Sequence, residues 1–433
     1  MTVINWLDQF FGFKNLGSSF KTEIFAGVST FLALSYIFVV NPAILSAAGM
    51  NKSGVFFATI VGSVISTLAM GLWANKPFAV APGLEMNAYV AYVVVGILGF
   101  SWQGAMGAVF WSGALTVIMS FTNLRVSIVE AIPAKLKFGL AAAVGVFLML
   151  IALKVSGILA YQGIQVQGLG LLNSKEALVF WVGLVLVVVF KMFKLKGSVL
   201  LSIIGASVAA HFLGISQAAD QISWNKEMFS TVWALDFSII FNPKIFSVVL
   251  ILFILDFYGS IAKFIGLTQN TPIVDSEGKL PKLKEALIVD GAGTVFGAGL
   301  GTSNLITYVE SAVGIGEGGR TGLVAVVCAI LMSLFLFLTP VINLVPVVAT
   351  TGALFFVGLS LFPWKDIKSG IIESTPLLIM VLVTIWTFGL DKAMFAGFAS
   401  FIFLKLIKVQ FKEINAYLVA STLLLALSIF LSR

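Results

Sequence analysis

The chain consists of apolar runs long enough to cross a lipid bilayer, and this feature constrains its fold more than any other. Of its 433 residues, 59% are hydrophobic and 10% are charged. A helix needs about 20 apolar residues for one crossing, and about 14 or 15 such runs, several of them short, lie between Glu23 and Leu431. Because these runs do not alternate apolar and polar residues, helices are expected to span the membrane. The sequence therefore predicts an all-α polytopic membrane protein.

Lysine and arginine residues stand in short clusters at the ends of the apolar runs. They occupy every second connection, from Lys14 and Lys21 before the first run to Lys405 and Lys408 after the fourteenth. Positive charge marks the cytoplasmic side of a membrane protein. The pattern predicts a multi-pass protein of the cell inner (plasma) membrane with a cytoplasmic N-terminus. The net charge of +7 then reflects topology, and we expect no nucleic-acid partner.

A repeated spacing of proline and glycine divides the chain into halves. The pattern P-x5-G-x5-G occurs twice, at Pro133, Gly139 and Gly145 and again at Pro346, Gly352 and Gly358. With about seven spans in each half, an odd number, the halves must insert with opposite orientation, as in secondary transporters with inverted repeats. The segment 414–431 is left over as a possible extra C-terminal hydrophobic helix.

Proline and glycine interrupt two of the predicted spans. The third span, residues 79–100, contains Pro82 and Gly83 near its start, and the glycines of 297–301 precede the tenth span, residues 303–316. Each segment is predicted to be extended first and helical afterwards. Irregular backbone at membrane depth is tolerated where protein covers it or where it lines a cavity. Because the third and tenth spans correspond in the repeat, both indicate one central binding site.

Glu310 lies in the apolar stretch 301–313, shortly after the second interruption, and Glu85 follows the first. A carboxylate at membrane depth is unfavourable enough to be a functional-site candidate. The chain has one histidine, His211, and one cysteine, Cys328, which leave little from which to build a metal site or a nucleophile–base pair. We therefore expect no enzyme activity, no metal and no cofactor.

Four stretches resemble the signature sequences of the nucleobase/ascorbate symporter superfamily. The branch concerned is the adenine, guanine and hypoxanthine permeases, of which this chain looks like a divergent member. The resemblance extends from the N-terminus to about Ile407 and is most specific around Glu310. The stretches are 22–42 (TEIFAGVSTFLALSYIFVVNP), 77–92 (PFAVAPGLEMNAYVAY), 278–293 (GKLPKLKEALIVDGAG) and 301–323 (GTSNLITYVESAVGIGEGGRTGL).

The resemblance implies a fold of about 14 transmembrane helices in two inverted seven-helix repeats, divided into two domains. Residues 1–122 and 246–339 would form a core domain, and residues 123–245 and 340–433 a gate domain. It also implies a secondary active transporter, a permease for purine nucleobases that works by alternating access as a proton-coupled symporter. A homodimer through the gate domain is a further implication.

The resemblance also implies a substrate site. Glu310 matches the family's tenth-span carboxylate, which grips the N–H edge of the nucleobase. An ionised carboxylate suits this role because it can accept two parallel N–H bonds. Proton coupling is expected through Glu310 or Asp256. The other candidate site residues are Thr302, Ser303, Glu85, Asn87, Ala88, Phe257, Tyr258, Gly259 and Lys263.

The eighth span, residues 246–268, departs from the family pattern. Asp256 matches the first of two acids, but Gly259 stands where the second belongs and Lys263 stands where a threonine is usual; in the third span, Glu85 replaces a glycine. Three roles for Lys263 remain open. It could pair with Glu85, pair with Glu310 and compete with substrate, or bind an anionic substrate such as a deprotonated oxopurine. The last role would make the protein a carrier or exchanger of a small anion, and a channel of the same fold is a further alternative.

Overall fold

The computed structural model describes most of the chain, and within it helices predominate. The described residues are 3–122, 133–162, 165–195, 197–215, 226–268, 271–275, 280–338, 345–362 and 374–431. The helices of the N-terminal part are α1 (Val3–Phe11), α2 (Phe20–Leu34), α3 (Ile37–Ser46), α4 (Lys52–Leu72), α5 (Leu84–Ala88), α6 (Trp102–Phe121), α7 (Ala134–Val155), α8 (Lys175–Met192) and α9 (Ser198–Phe212).

The C-terminal part begins after two short 3₁₀ helices, Lys226–Phe229 and Phe237–Phe241. Its helices are α10 (Pro243–Thr268), α11 (Leu283–Leu300), α12 (Ser311–Gly316), α13 (Gly322–Ser333), α14 (Thr351–Leu361), α15 (Thr375–Thr387), α16 (Leu390–Ile407) and α17 (Ala416–Leu431). Four short strands also occur among the described residues: β1 (Val80–Pro82), β2 (Leu159–Gln162), β3 (Gln165–Leu169) and β4 (Leu305–Thr307).

Four helical segments in the described part of the chain are long and apolar enough to cross a membrane. They are Phe20–Ser46, which runs through α2 and α3, Lys52–Leu72, Trp102–Phe121 and Phe138–Val155. Six shorter apolar helices lie in other predicted spans, or in the C-terminal segment, of the described part of the chain. The prediction that helices form the spans agrees with these residues, whereas the number of about 14 spans and the opposite orientation of the halves stay predictions.

Short polar side chains fix the starts of several of these helices. The Ser19 side chain accepts a hydrogen bond from the Thr22 backbone N–H at 3.2 Å before α2. Asn51 does the same for Gly54 before α4, at 3.0 Å. Such caps satisfy backbone N–H groups that have no partner within the helix. The helix boundaries therefore follow from local sequence.

The helices pack mainly within two groups. In the first group, α11 lies against α4 and α6, and α13 lies against α2 and α4. In the second group, α14 lies against α7 and α8, while α15 lies against α7 and α16. Helix α10 packs on α6, and α17 contacts both α10 and α16. The leftover segment of the sequence is thus a helix packed against the bundle.

Glycines allow two pairs of helices to approach closely. A Cβ atom added to Gly322 would lie 1.9 Å from the carbonyl oxygen of Gly71, where α13 crosses α4. A Cβ atom added to Gly358 would lie 2.5 Å from the carbonyl oxygen of Gly145, where α14 crosses α7. Small residues at such crossings bring backbones into contact, which is a common way to pack helices in membranes.

The two interrupted segments meet inside the first group of helices. Strands β1 and β4 pair antiparallel, with Val80 opposite Thr307 and Pro82 opposite Leu305. All residues of both strands are buried. Strand β1 leads into α5 and β4 leads towards α12, so each segment is extended first and helical afterwards, as predicted. Pairing also satisfies backbone groups that could not remain exposed in lipid.

Candidate functional site

Glu310 stands immediately before α12, where the chain leaves the β1–β4 pair. Its Oε1 atom accepts a hydrogen bond of 2.6 Å from the hydroxyl of Tyr36, which lies between α2 and α3. Its Oε2 atom is buried and has no hydrogen-bond partner among the residues that the structure describes. Buried polar atoms are nearly always satisfied, so such an oxygen is well placed to accept an N–H group from a ligand.

The start of the third-span helix contacts the tenth-span interruption directly. The Ser303 hydroxyl donates a hydrogen bond to Asn87 Oδ1 on α5. The Asn87 Nδ2 donor is buried and has no partner within the described part of the chain. Thr302 is turned towards α3, where its hydroxyl accepts a hydrogen bond of 2.8 Å from Asn41 Nδ2. The place where β1 and β4 pair is called the crossing from here on. Of this predicted set, Asn87 therefore offers a donor beside the crossing, whereas Thr302 and Ser303 hold the backbone in place.

Asp256 is buried on α10, and its hydrogen bonds link α10 to α11 and to the chain before β4. Its carboxylate accepts hydrogen bonds from Ser260 at 3.2 Å, Thr294 at 3.3 Å and Asn304 at 3.3 Å. The amide of Asn304 also donates to the Ser112 hydroxyl on α6, at 3.1 Å. Protein donors therefore engage both oxygens of Asp256. Its geometry is that of a residue that fixes α10 against the crossing.

Lys263 and Glu85 form an ion pair across α10 and α5. The Nζ atom lies 3.7 Å from Glu85 Oε1, and the side chains are 18% and 16% exposed. This distance is longer than a hydrogen bond. Of the three partners considered for Lys263, the structure contains the pair with Glu85, and Glu85 is the one carboxylate paired with it among the described residues.

The remaining candidates on α5 and α10 differ in their surroundings. A Cβ atom added to Gly259 would meet no atom within 4 Å, so this position faces open space. Phe257 is buried and its ring packs on Phe253 with centroids 5.1 Å apart, an environment typical of core packing. Ala88 is fully buried. The side chain of Tyr258 lies outside the described residues.

Sequence reasoning missed the residues that orient the candidates. Tyr36, Asn41 and Asn304 were given no role, although each is a polar residue in an apolar or interrupted stretch. A buried polar group in a membrane span is unfavourable unless it has a partner, and this was the available signal. Within the described part of the chain, no group of three or more His, Cys, Asp or Glu side chains could hold a metal ion.

Comparison with known proteins places the chain in a transporter family. The permease family model Xan_ur_permease matches residues 21–387. A putative permease of Methanocaldococcus jannaschii is 36% identical over 418 residues, 95% of both chains. The adenine permease AdeQ of Escherichia coli is 32% identical over 98% of this chain and 96% of its own. The guanine/hypoxanthine permease PbuO of Bacillus subtilis is 31% identical over 97% of this chain and 100% of its own.

Solved structures support the same fold class. The transmembrane domain of the cyanobacterial bicarbonate transporter BicA matches with a TM-score of 0.67 at 16% identity, over 87% of this chain and 97% of that domain. SLC26A9 matches with a TM-score of 0.66 at 12% identity, over 90% of this chain and 65% of that one. These likenesses show a helical membrane transporter fold. The family resemblance is confirmed: the chain belongs to the permease family, and its relatives include adenine and guanine/hypoxanthine permeases.

Proposed function

We propose that this protein is a permease for purine nucleobases. One observation carries the proposal: two interrupted spans meet as β1 and β4, and Glu310 beside them holds one buried carboxylate oxygen without a partner among the described residues. The names of the relatives AdeQ and PbuO indicate purines as the ligand class. A flat heterocycle with N–H groups on its edge suits a carboxylate acceptor in a site sheltered from water.

The surrounding residues suggest how the ring is held. Glu310 accepts a ring N–H through Oε2, while the Tyr36 hydroxyl at 2.6 Å fixes the other oxygen and thereby the plane of the carboxylate. Asn87 Nδ2 supplies a donor for a ring nitrogen or carbonyl. This combination of one acceptor and one donor on opposed segments matches the alternating donors and acceptors of a purine edge.

Transport by alternating access fits the division into two groups of helices. In this proposal the first group acts as a core domain that carries the site, and the second acts as the gate domain against which the core moves. The core would comprise residues 1–122 and 246–339, and the gate 123–245 and 340–433. The basic connections support a cytoplasmic N-terminus in the inner membrane. A homodimer through the gate domain remains a prediction.

Proton coupling is part of the proposal, with Glu310 as the favoured group. A carboxylate that exchanges environments between two orientations of a carrier changes its affinity for a proton. Glu310 has one oxygen available to a ligand, whereas three protein donors engage Asp256. Glu310 can therefore link protonation to the presence of substrate more directly than Asp256 can.

Uptake by purified protein in proteoliposomes tests both claims. We expect the vesicles to accumulate labelled adenine, guanine or hypoxanthine when the outside is acidic. We expect Glu310→Gln to lower uptake at least about tenfold, because a neutral amide replaces a charged acceptor. Glu413→Gln, in the connection between α16 and α17, is the matched control with an exposed carboxylate. Absence of any purine uptake would refute the substrate, and uptake unaffected by collapse of the proton gradient would refute the coupling.

An anionic substrate has weaker support. The Lys263 ammonium lies 3.7 Å from the Glu85 carboxylate, which offsets its charge within the protein. Glu310 would also repel an anion that approached the crossing. The bicarbonate transporter BicA shares the fold with this chain, and its substrate gives no information on the ligand here.

A further inference from the structure

Lys263 and Gly259 stand one turn apart on α10 and face the same way, since residues four apart share a helix face. At Gly259 an added Cβ atom would meet nothing within 4 Å. Lys263 is largely buried, and among the described residues its ammonium forms an ion pair of 3.7 Å with Glu85. An ammonium group carries three donors and no acceptor. The face of α10 therefore presents an open space with hydrogen-bond donors beside it.

This space lies on the side of α10 that faces the crossing. Asp256, about two turns before Lys263 and on the same face, hydrogen-bonds to Asn304 directly before β4. Helix α10 also contacts β4 and α12. From the other side, Glu85 on α5 reaches Lys263. The ammonium and the Glu310 carboxylate therefore border the same region, at the two sides of the crossing.

We propose that Gly259 and Lys263 form a subsite for a carbonyl oxygen on the purine ring, which makes the protein selective for 6-oxopurines over adenine. The proposal rests on the proposed function, because it assumes that a purine binds at the crossing. Lys263 is the specificity-determining residue, Gly259 provides the space for the exocyclic group, and Glu85 is a positioning residue for the ammonium.

The chemistry of the two ligand classes supports this assignment. A 6-oxopurine places a ring N–H next to a carbonyl oxygen, so Glu310 Oε2 can accept the N–H while Lys263 donates to the oxygen. Adenine has an exocyclic amino group in place of the carbonyl, and in the space beside Gly259 that group would set its N–H donors against an ammonium. A buried site that hydrogen-bonds the correct ligand discriminates strongly against a ligand that lacks the matching polar group. The wrong ligand leaves buried polar groups of the site unpaired.

The ion pair keeps the subsite selective for neutral ligands. Glu85 offsets the charge of Lys263, so a neutral carbonyl can approach without an uncompensated ion nearby. At 3.7 Å the pair leaves N–H donors of the ammonium available, because no hydrogen bond from Nζ to a described residue uses them. Both residues depart from the family pattern, and they contact each other, which is consistent with a joint role in this chain.

Competition measurements on the full-length protein in proteoliposomes test the proposal. Hypoxanthine, guanine and adenine would each compete with labelled hypoxanthine, and their inhibition constants would be compared. We expect the wild type to prefer hypoxanthine and guanine to adenine by at least about tenfold, the effect of one hydrogen bond to a charged group. In Lys263→Met we expect this preference to disappear through weaker binding of the oxopurines.

Two further variants separate recognition from folding. Gly259→Ala places a methyl group in open space, so we expect unchanged melting and weaker oxopurine binding. Gly316→Ala, whose added Cβ atom also meets nothing within 4 Å, is the matched control and should bind as the wild type does. If Lys263→Met fails to fold because Glu85 is left unpaired, the double variant Glu85→Gln with Lys263→Met removes both charges and should show the same loss of preference.

The results distinguish the inference from the proposed function. If the wild type binds no purine, both fail. If purines bind in a manner that depends on Glu310 but the wild type prefers adenine, the inference alone is overturned. An unchanged ratio of hypoxanthine to adenine affinity in both the Lys263→Met and the double variant would overturn it as well.

Discussion

At the scale of single residues, the site depends on polar side chains that contact each other over long distances in sequence. Glu310 was predictable because a carboxylate interrupts an apolar run. Its contact with Tyr36 was not predictable, since the two residues are separated by 274 positions and no local pattern joins them. The contact between Ser303 and Asn87 is of the same kind. The sequence shows which polar residues lie in apolar spans, where they are energetically unfavourable, and the fold determines which of them contact each other.

Substitution of Tyr36 by phenylalanine tests the role of this contact. The variant removes one hydroxyl, so Glu310 loses the hydrogen bond that fixes Oε1. We expect purine affinity to fall about tenfold with little change in melting temperature, because the hydroxyl bonds to a charged group. Binding is measured by titration calorimetry in detergent. Tyr92→Phe is the matched control, and equal effects of both variants would contradict the orienting role of Tyr36.

At the scale of secondary-structure elements, the interruptions were predictable and their exact geometry was not. Pro82 and Gly83, and the glycines of 297–301, indicated where helix would give way to extended chain. The register of β1 against β4 depends on tertiary contacts, and so does the π-helical turn Tyr89–Val95 that continues α5. The hairpin of β2 and β3 was not predicted, because its strands of four and five residues lie in a connection between predicted spans and the alternation at Gln165, Val166 and Gln167 is short.

The close contact between α4 and α13 yields a prediction on the stability of the protein. A Cβ atom at position 322 would lie 1.9 Å from the carbonyl oxygen of Gly71, and a backbone atom cannot move aside without moving its helix. We expect Gly322→Ala to destabilise the protein by about 2 kcal/mol, within the usual range for overpacking. Thermal melting in detergent measures this. Gly316→Ala, in open space, is the control. Equal melting temperatures of the two variants would show that the contact between α4 and α13 tolerates a methyl group.

At the scale of the whole molecule, the repeated proline and glycine spacing coincides with helix packing. Pro133 and Pro346 each stand directly before a helix, α7 and the 3₁₀ turn that leads into α14. Gly358 on α14 approaches Gly145 on α7, so equivalent positions of the sequence repeat contact each other. This arrangement supports the proposed inverted repeat. Which helices group together was not evident from the sequence spacing and came from the family resemblance.

Motion between the two groups of helices can be tested by cross-linking. The Lys52 ammonium at the start of α4 donates a hydrogen bond to the carbonyl oxygen of Val345, which precedes α14. If the core moves against the gate, this contact must break. We expect a reducible cross-link between Lys52→Cys and Val345→Cys, in a Cys328→Ala background, to stop uptake until it is reduced.

A second contact of a lysine with a main-chain oxygen supplies the control for this experiment. The Lys282 ammonium, directly before α11, donates a hydrogen bond of 3.2 Å to the carbonyl oxygen of Trp73 at the end of α4, and α11 packs on α4. A cross-link between cysteines at these two positions joins parts of one group, so uptake should continue. Uptake that persists in the Lys52–Val345 cross-linked protein would contradict relative motion at this contact.

The antiparallel pairing of β1 with β4 has a consequence for how such a permease diversifies. Main-chain atoms hold the two halves together at this point, and main-chain atoms are the same whatever the residue type. Residues near the β1–β4 pair, such as Glu85, Gly259 and Lys263, can therefore be substituted while the main-chain hydrogen bonds of the pair are kept. New ligand preferences in this lineage would then arise by exchange of a few nearby residues on an inherited scaffold.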